Sequence, residues 1–303
     1  CPKLCECYND YSTVDCSSKG IADIPPLSIL TQHLSMDAND IVSLPIDAFA
    51  AVPNLIKLHI RNTKLTSINT NSFCGLQKLQ ELHLGHNEIS EFLIGQRADC
   101  KLPNLKNLLL SGNKLSEPPR NLSFVAPNLE ILILHNNDLE SLALDESYNQ
   151  MRSLENLDVS LNRIHEITRN DLDPLRDNLE SLFLQSNHLS KLENVVALPR
   201  LRRLHELDLS FNFIRSLPSG QFRALHHLST LDLQGNYIHD LAMVSLGGLP
   251  SLAKLVVSNN QLSSVQTEVI SQLEFLEVLD ASSNPYECTC NLQPFLDWLS
   301  RTR

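Results

Sequence analysis

The 303-residue sequence predicts an α/β solenoid, a curved horseshoe with about eleven parallel strands on its concave side and mostly irregular connections on its convex side. Three observations support this fold class. One short pattern recurs nearly end to end, leucine is the commonest residue, and cysteines cluster near both ends of the chain. A fixed repeat of this length is typical of stacked coils, none of which could bury its apolar side chains alone.

The repeat is marked by an asparagine that returns every 24 to 26 residues from Asn39 to Asn284, with Thr63 in its place in one copy. Representative copies read LQELHLGHNEI (79–89), LKNLLLSGNKL (105–115) and LHELDLSFNFI (204–214). All of them fit the frame L-x-x-L-x-L-x-x-N-x-L. The recurrence therefore predicts eleven equivalent coils.

Each position of the frame has a physical task. The L-x-L alternation has a period of two, so it predicts a short strand whose leucines face a shared core. The asparagine amide can bond backbone groups that the following turn leaves unpaired, which predicts a ladder of such bonds. Thr63 can satisfy fewer groups, so the second repeat should be the loosest. Phe49, Phe73 and Phe222 are expected to fill the outer side of the coils.

Composition excludes several classes of protein. A net charge of −11 disfavours nucleic acid or an anionic membrane as the main partner, although acidity alone can also serve solubility. No stretch approaches the ~20 apolar residues of a membrane-spanning helix. The common nucleotide-binding, hydrolase and metalloprotease motifs are absent from the sequence, so we predict neither an enzyme nor a cofactor.

The cysteines predict disulfides. Four of them form C-x3-C-x-C-x8-C within residues 1–16, a spacing that does not suit a zinc site and that favours an oxidising compartment. Cys74 and Cys100 each lie five residues before the first leucine of their repeat. That common register allows either a disulfide between adjacent coils or two separate buried thiols.

The frame is that of the leucine-rich repeat, and the chain ends resemble the cysteine caps of its extracellular members. Residues 1–30 resemble the amino-terminal cap, 31–283 form the array, and 284–303, beginning NPYECTC, resemble the start of the carboxy-terminal cap. The resemblance implies pairing of Cys1 with Cys7 and of Cys5 with Cys16. It also implies that Cys288 and Cys290 pair with cysteines beyond Arg303, where any membrane anchor would lie.

The whole chain resembles Slit, Toll-like receptors, Nogo-receptor-like proteins and synaptic adhesion molecules of this class. The resemblance implies an extracellular, secreted or plasma-membrane protein that recognises another extracellular protein as a receptor or adhesion molecule. Two alternatives remain open: a secreted matrix protein, and an innate immune receptor for microbial ligands. Homodimerisation is a further expectation, and so is a glycan at Asn121, in the sequence Asn-Leu-Ser.

The side chains that point out of the strands should form an open face, because the connecting segments cover the sheet from one side only. Apolar residues in the middle of this face predict an interface, unless they merely shield one another. Acidic residues beyond them predict a partner with a basic patch, unless they form an ordinary solvated surface. The ligand-binding residues expected on this face are His59, His83, Leu109, Ile131, Ile133, Asp158, Phe183, Asp208 and Asp232.

Histidines gather in the first third of this face, where His33, His86 and His135 flank His59 and His83. Such a group could bind a metal, change charge between pH 5 and 7, or consist of ordinary surface residues. Because no pair has helical metal-ligand spacing, we predict no metal site.

Overall fold

The structure is a computed structural model that describes residues 1–95, 97–192, 201–241, 246–287 and 290–301. It divides into two compact units. The first comprises Cys1–Leu139 and Ala143–Asp158, and the second comprises Glu140–Leu142 and Val159–Arg303. Both units are built from the same kind of coil.

The first unit contains a sheet that begins with an antiparallel pair and continues as parallel strands. Cys7 of the first strand is paired with Val14 of the second, and each later strand adds in parallel register. In sheet order the strands are β1 (Glu6–Tyr8), β2 (Thr13–Asp15), β3 (His33–Ser35), β4 (Lys57–His59), β6 (Glu81–His83), β8 (Asn107–Leu109), β9 (Ile131–Ile133) and β10 (Asn156–Asp158). A second, two-stranded sheet pairs β5 (Ser67–Asn69) with β7 (Glu91–Leu93).

The second unit contains five strands, each hydrogen-bonded in parallel to the next. They are β11 (Ser181–Phe183), β12 (Glu206–Asp208), β13 (Thr230–Asp232), β14 (Lys254–Val256) and β15 (Val278–Asp280). Together with the six repeat strands of the first unit, these are the eleven strands that the frame predicts. The solenoid fold class is therefore confirmed.

The connecting segments are mostly irregular, as expected, with short helical turns. Among the described residues, the α-helices are α1 (Leu122–Val125), α2 (Arg169–Leu172), α3 (Thr267–Ser271) and α4 (Gln293–Arg301). The 3-10 turns in the same ranges are Thr70–Phe73, Ala98–Cys100, Glu146–Gln150, Asp173–Leu175 and Cys290–Leu292.

The core consists of the frame leucines, because each strand directs its middle residue inward. Leu58, Leu108 and Leu207 are fully buried at the centres of their strands. Phenylalanines fill the outer side of the coils: Phe49 and Phe73 stack with ring centroids 5.9 Å apart, and Phe222 is buried. Tyr148 is buried as well, and its hydroxyl donates to the carbonyl of Pro119.

The asparagine ladder is present in both units. Asn113 Nδ2 donates to the carbonyl of Leu84 in the preceding coil, at 3.0 Å, and to Leu110 in its own coil, at 2.9 Å. Its Oδ1 accepts from the backbone N–H of Ile89. In the second unit Asn212 makes the equivalent bonds. Each side chain thus satisfies buried backbone groups of two coils at once.

Three disulfides join described residues, and all three lie in the first unit. Cys1 is joined to Cys7 and Cys5 to Cys16, the pairs that the resemblance implies. Cys74 is joined to Cys100, so the alternative of two separate thiols does not apply. Cys290 is free and exposed, whereas Cys288 lies outside the described residues.

Candidate functional site

The open face consists of the first and third residues of each repeat strand, on either side of the buried leucine. Within each unit the third residues lie in a row, because parallel pairing sets each of them beside its equivalent in the next strand. They are partly exposed, apart from Val256, which is 7% exposed. The frame therefore predicts the orientation of this row at all but one position.

In the first unit the structure brings the predicted apolar residues together. Leu109 lies opposite Ile133 on the adjacent strand, and Ile131 occupies the first position of the same strand β9. Asp158 lies opposite Ile133 on its other side. All four side chains are half-buried. They form a small apolar surface bordered by a carboxylate, which suits contact with another protein.

Two histidines of the first unit, His59 and His83, belong to a cluster around Glu81. Glu81 Oε1 lies 2.7 Å from His59 Nε2, and Glu81 Oε2 accepts from Lys57 Nζ at 3.0 Å. Burial acts to raise the pKa of Glu81, but the hydrogen bonds from Lys57 and His59 outweigh it, and the pKa is lowered. Glu81 is thus an anion held between the Lys57 ammonium group and the His59 ring.

His83 packs edge-on against His59, with ring centroids 5.6 Å apart. The pKa of His83 is lowered to about 4, mainly because the ring is buried. Nearby Arg61 and His59 lower it further. Arg61 is itself held by Asp37, whose Oδ2 accepts from Arg61 Nη2 at 2.6 Å and from Nε at 2.8 Å. His83 is therefore neutral between pH 5 and 7 and contributes no charge change there.

The second unit places an aromatic ring beside a row of carboxylates. Phe183 lies opposite Asp208, and Asp208 lies opposite Asp232 on the next strand. Burial raises the pKa of Asp232, and the neighbouring Asp208 and Asp280 raise it further. Negative charge is thus concentrated on this part of the open face.

These carboxylates also have a structural task that the sequence analysis missed. Asp208 Oδ1 accepts from the backbone N–H of Ser210 at 2.8 Å, and Asp232 Oδ1 accepts from that of Gln234 at 2.9 Å. Asp280 Oδ1 makes the same bond to Ser282. Each aspartate closes a turn two residues beyond itself. This bond explains why aspartate stands there even though neighbouring strands then carry like charges.

A set of exposed apolar side chains was also missed. Leu161, Phe211, Phe213 and Tyr237 of the second unit are 44–50% exposed and lie in the loops that follow the strands. The signal was present in the copies SLNRI, SFNFI and QGNYI, where large apolar residues flank the asparagine. These residues lie outside the strand positions, so the strand pattern does not predict them.

The predicted glycan site at Asn121 lies at the start of α1. Asn121 is exposed and has a φ of 56°, and its backbone N–H donates to Asp145 Oδ2. Ser123, the third residue of the motif, is buried. The glycan remains a prediction.

Relatives of the chain fall into two kinds. Osteomodulin of Mus musculus is 29% identical over 172 residues, which cover 55% of this chain and 39% of osteomodulin. Reticulon-4 receptor-like 2 of Rattus norvegicus is 39% identical over 88 residues, which cover 29% of this chain and 20% of that protein. The chain spans less than half the length of the curated relatives it matches. These relatives are matrix proteins or receptors, not enzymes.

A solved structure shows the same fold. The leucine-rich-repeat protein LIC12759 of Leptospira interrogans superimposes with a TM-score of 0.67 at 26% identity, covering 94% of this chain and 81% of that one.

Within the described residues, the helices are too short or too polar to cross a bilayer.

The relatives are extracellular-matrix or cell-surface proteins, and the three disulfides also suit an oxidising compartment, so the chain is extracellular. A family model described as "Leucine rich repeat" matches residues 30–89, 177–238, 202–262 and 227–285, which together make up more than half of the sequence. The chain belongs to the leucine-rich-repeat family.

Proposed function

We propose that this chain is the recognition ectodomain of a cell-surface receptor or adhesion protein and that it binds a protein ligand through its open face. The observation that carries this proposal is the open face itself, where groups of apolar and charged side chains lie side by side and most of them are partly exposed. The name of reticulon-4 receptor-like 2 supports a receptor. Residues 1–30 and 284–303 would then serve as caps of the array 31–283.

In the first unit we assign ligand contacts to the apolar surface and its surroundings. Leu109 and Ile133 would be the anchors, because they are adjacent, half-buried and apolar. A few such anchors carry most of the free energy of a protein interface. The residues assigned here are His59, His83, Leu109, Ile131, Ile133 and Asp158.

In the second unit we assign Phe183 as the anchor, with Asp208 and Asp232 beside it. Aromatic residues are enriched among the side chains that dominate binding. The two carboxylates would attract a ligand with a basic patch and raise its association rate at low salt. This assignment does not conflict with their turn-closing bonds, because only Oδ1 is engaged in the bonds described above.

A secreted matrix protein is the second candidate, because osteomodulin and keratocan match 172 residues of the chain. The two functions differ in the partner. We therefore suggest measuring binding of the purified chain to two arrays, one of cell-surface ectodomains and one of matrix proteins. Selective binding to the first array supports a receptor, and selective binding to the second supports the matrix protein.

The binding surface is tested by substitution once a ligand is found. Ile133→Glu and Phe183→Glu should each weaken binding about tenfold or more, and the double variant should abolish it, because a buried unpaired charge is costly. Phe275→Glu is the matched control, since Phe275 is 64% exposed in the turn before β15, outside the open face. Thermal melts should show that all variants remain folded.

The double variant Asp208→Asn, Asp232→Asn separates the effect of the negative charges on binding from the effect of the turn-closing hydrogen bonds on folding. Asparagine keeps a side-chain oxygen for the Ser210 and Gln234 N–H groups but removes both negative charges. We expect unchanged folding, a slower association rate and a weaker salt dependence. Full affinity in the Ile133→Glu, Phe183→Glu double variant would contradict the open face as the binding surface.

A further inference from the structure

Loop residues of the second unit form a ladder of rings. His165 and His188 lie 5.0 Å apart between ring centroids, His188 and Phe213 lie 5.8 Å apart, and Phe213 and Tyr237 stack at 6.0 Å. Phe211 lies two residues before Phe213 in the same loop. We call these five residues the aromatic edge. It is distinct from the open face, because none of its members lies in a strand.

Three members of the aromatic edge, His188, Phe213 and Tyr237, directly follow a repeat asparagine, and the equivalent positions of the first unit differ. There the residue after the repeat asparagine is charged, and pairs such as Lys64–Asp40, at 2.7 Å, and Lys114–Glu88, at 2.9 Å, link neighbouring coils. Such solvated pairs are typical of a surface that faces water.

In the second unit, by contrast, Phe213 and Tyr237 keep 45% and 44% of their surface exposed even though they stack on each other. Phe211 is 50% exposed. A contiguous exposed apolar surface of this kind is the usual mark of a protein interface.

Among the charged residues near the aromatic edge, which include Glu166 and Arg215, two take symmetric positions about Phe213. Lys191 lies four residues after Asn187, one coil before Phe213, and Asp240 lies four residues after Asn236, one coil after it. Both are exposed, and neither has an ion-pair partner among the described residues. The edge therefore carries opposite charges at equivalent positions on its two sides.

From this symmetry we infer that the aromatic edge is a homodimer interface, in which a second copy packs its own edge in the antiparallel direction. A two-fold axis that crosses the ladder at Phe213 sets this ring against the partner's Phe213. The same axis brings Lys191 opposite the partner's Asp240 and Asp240 opposite the partner's Lys191. Such self-complementarity is what a two-fold interface requires.

The parallel arrangement is disfavoured by charge. It keeps Lys191 at the level of the partner's Lys191 and Asp240 at the level of the partner's Asp240, so no opposite charges pair and the nearest charges are alike. Because adjacent strands are about 4.8 Å apart, an edge of four or five coils is only about 20 Å long. An interface of that size is small, so we expect a dissociation constant in the micromolar range.

The test is sedimentation velocity of the whole chain at concentrations up to about 100 μM, where a micromolar dimer is populated. Wild type should show a concentration-dependent dimer. Phe213→Glu should be monomeric throughout, whereas Phe275→Glu, the matched aromatic-to-acid control outside the edge, should dimerise like wild type. Melting curves check that each variant is folded.

Charge reversal tests the two-fold geometry itself. Lys191→Glu and Asp240→Lys should each weaken self-association about tenfold, because each puts two like-charge contacts into the symmetric interface. An equimolar mixture of the two variants should restore dimers, since every contact then joins opposite charges. A wild-type monomer at the highest concentration, a Phe213→Glu dimer, or a mixture that fails to associate would each overturn the inference. Dimerisation and ligand binding use different surfaces, so either proposal can fail alone.

Discussion

Asn87 Oδ1 accepts hydrogen bonds from both the backbone N–H and the hydroxyl of Thr63 in the preceding coil. This arrangement departs from the rest of the ladder, where the residue at the Thr63 position is an asparagine that donates to two carbonyls. Among the described residues, the carbonyls of Met36 and Ile60 each accept from one asparagine, whereas that of Leu84 accepts from two. The second repeat is therefore the least bonded rung of the ladder.

Restoring the asparagine should stabilise the chain. Thr63→Asn adds donors for the Met36 and Ile60 carbonyls, and we expect the free energy of unfolding to rise by about 1 kcal/mol. Urea denaturation measures the change. Asn113→Thr, the reverse substitution in a regular rung, should lower stability by about 2 kcal/mol because it leaves buried carbonyls short of donors. Equal stabilities for all three proteins would show that the ladder does not limit stability.

Removing the Cys74–Cys100 disulfide should destabilise the first unit. The bond closes a loop with a sequence separation of 26, so the double variant Cys74→Ala, Cys100→Ala should lose about 2–4 kcal/mol of unfolding free energy. Cys290→Ser is the control, since Cys290 is free and exposed and should change stability by less than about 0.5 kcal/mol. If the Cys74→Ala, Cys100→Ala variant had the same urea midpoint as wild type, the disulfide would not stabilise the chain.

His83 should make the chain less stable in acid. Its pKa is about 4 in the folded state and 6.5 without these surroundings, so the unfolded state binds more protons between these values. Stability therefore falls as pH decreases from about 6.5 to 4. We expect His83→Gln to reduce this acid-induced loss of unfolding free energy by on the order of 2 kcal/mol. This is less than the free energy that corresponds to the whole pKa shift, because water reaches part of the ring.

The measurement for His83 is urea denaturation at pH 7, 5.5 and 4. His33→Gln serves as the control because His33 is exposed at the start of β3, and it should follow wild type. If His83→Gln lost stability in acid as steeply as wild type, the ring would be charged in the folded state.

Asn121 should carry a glycan when the chain is secreted from animal cells. Asn121→Gln should remove the mobility shift that an endoglycosidase produces in wild type, and Asn149→Gln, an exposed asparagine outside the motif, should retain it. A shift that persists in Asn121→Gln would place the modification elsewhere.

Repeat spacing predicts the coils, the eleven strands, the buried leucines and the asparagine ladder, because a period-two strand and an asparagine turn are local properties of the chain. The candidate site was predicted less completely. Leu109 and Ile133 were expected to meet because equal register sets them on adjacent strands. The stacking of the exposed Phe213 and Tyr237 rings was not expected, because the repeat frame does not constrain the residues at those positions.

The repeat pattern is enough to establish a stack of equivalent coils, since one inward and outward alternation recurs at a constant period. The tertiary structure sets which outward side chains interact. It set Glu81 between His59 and Lys57, turned the carboxylates of Asp208 and Asp232 toward backbone N–H groups, and left Phe213 exposed. Those outcomes depend on side-chain positions across neighbouring coils, which a pattern of residue types does not encode.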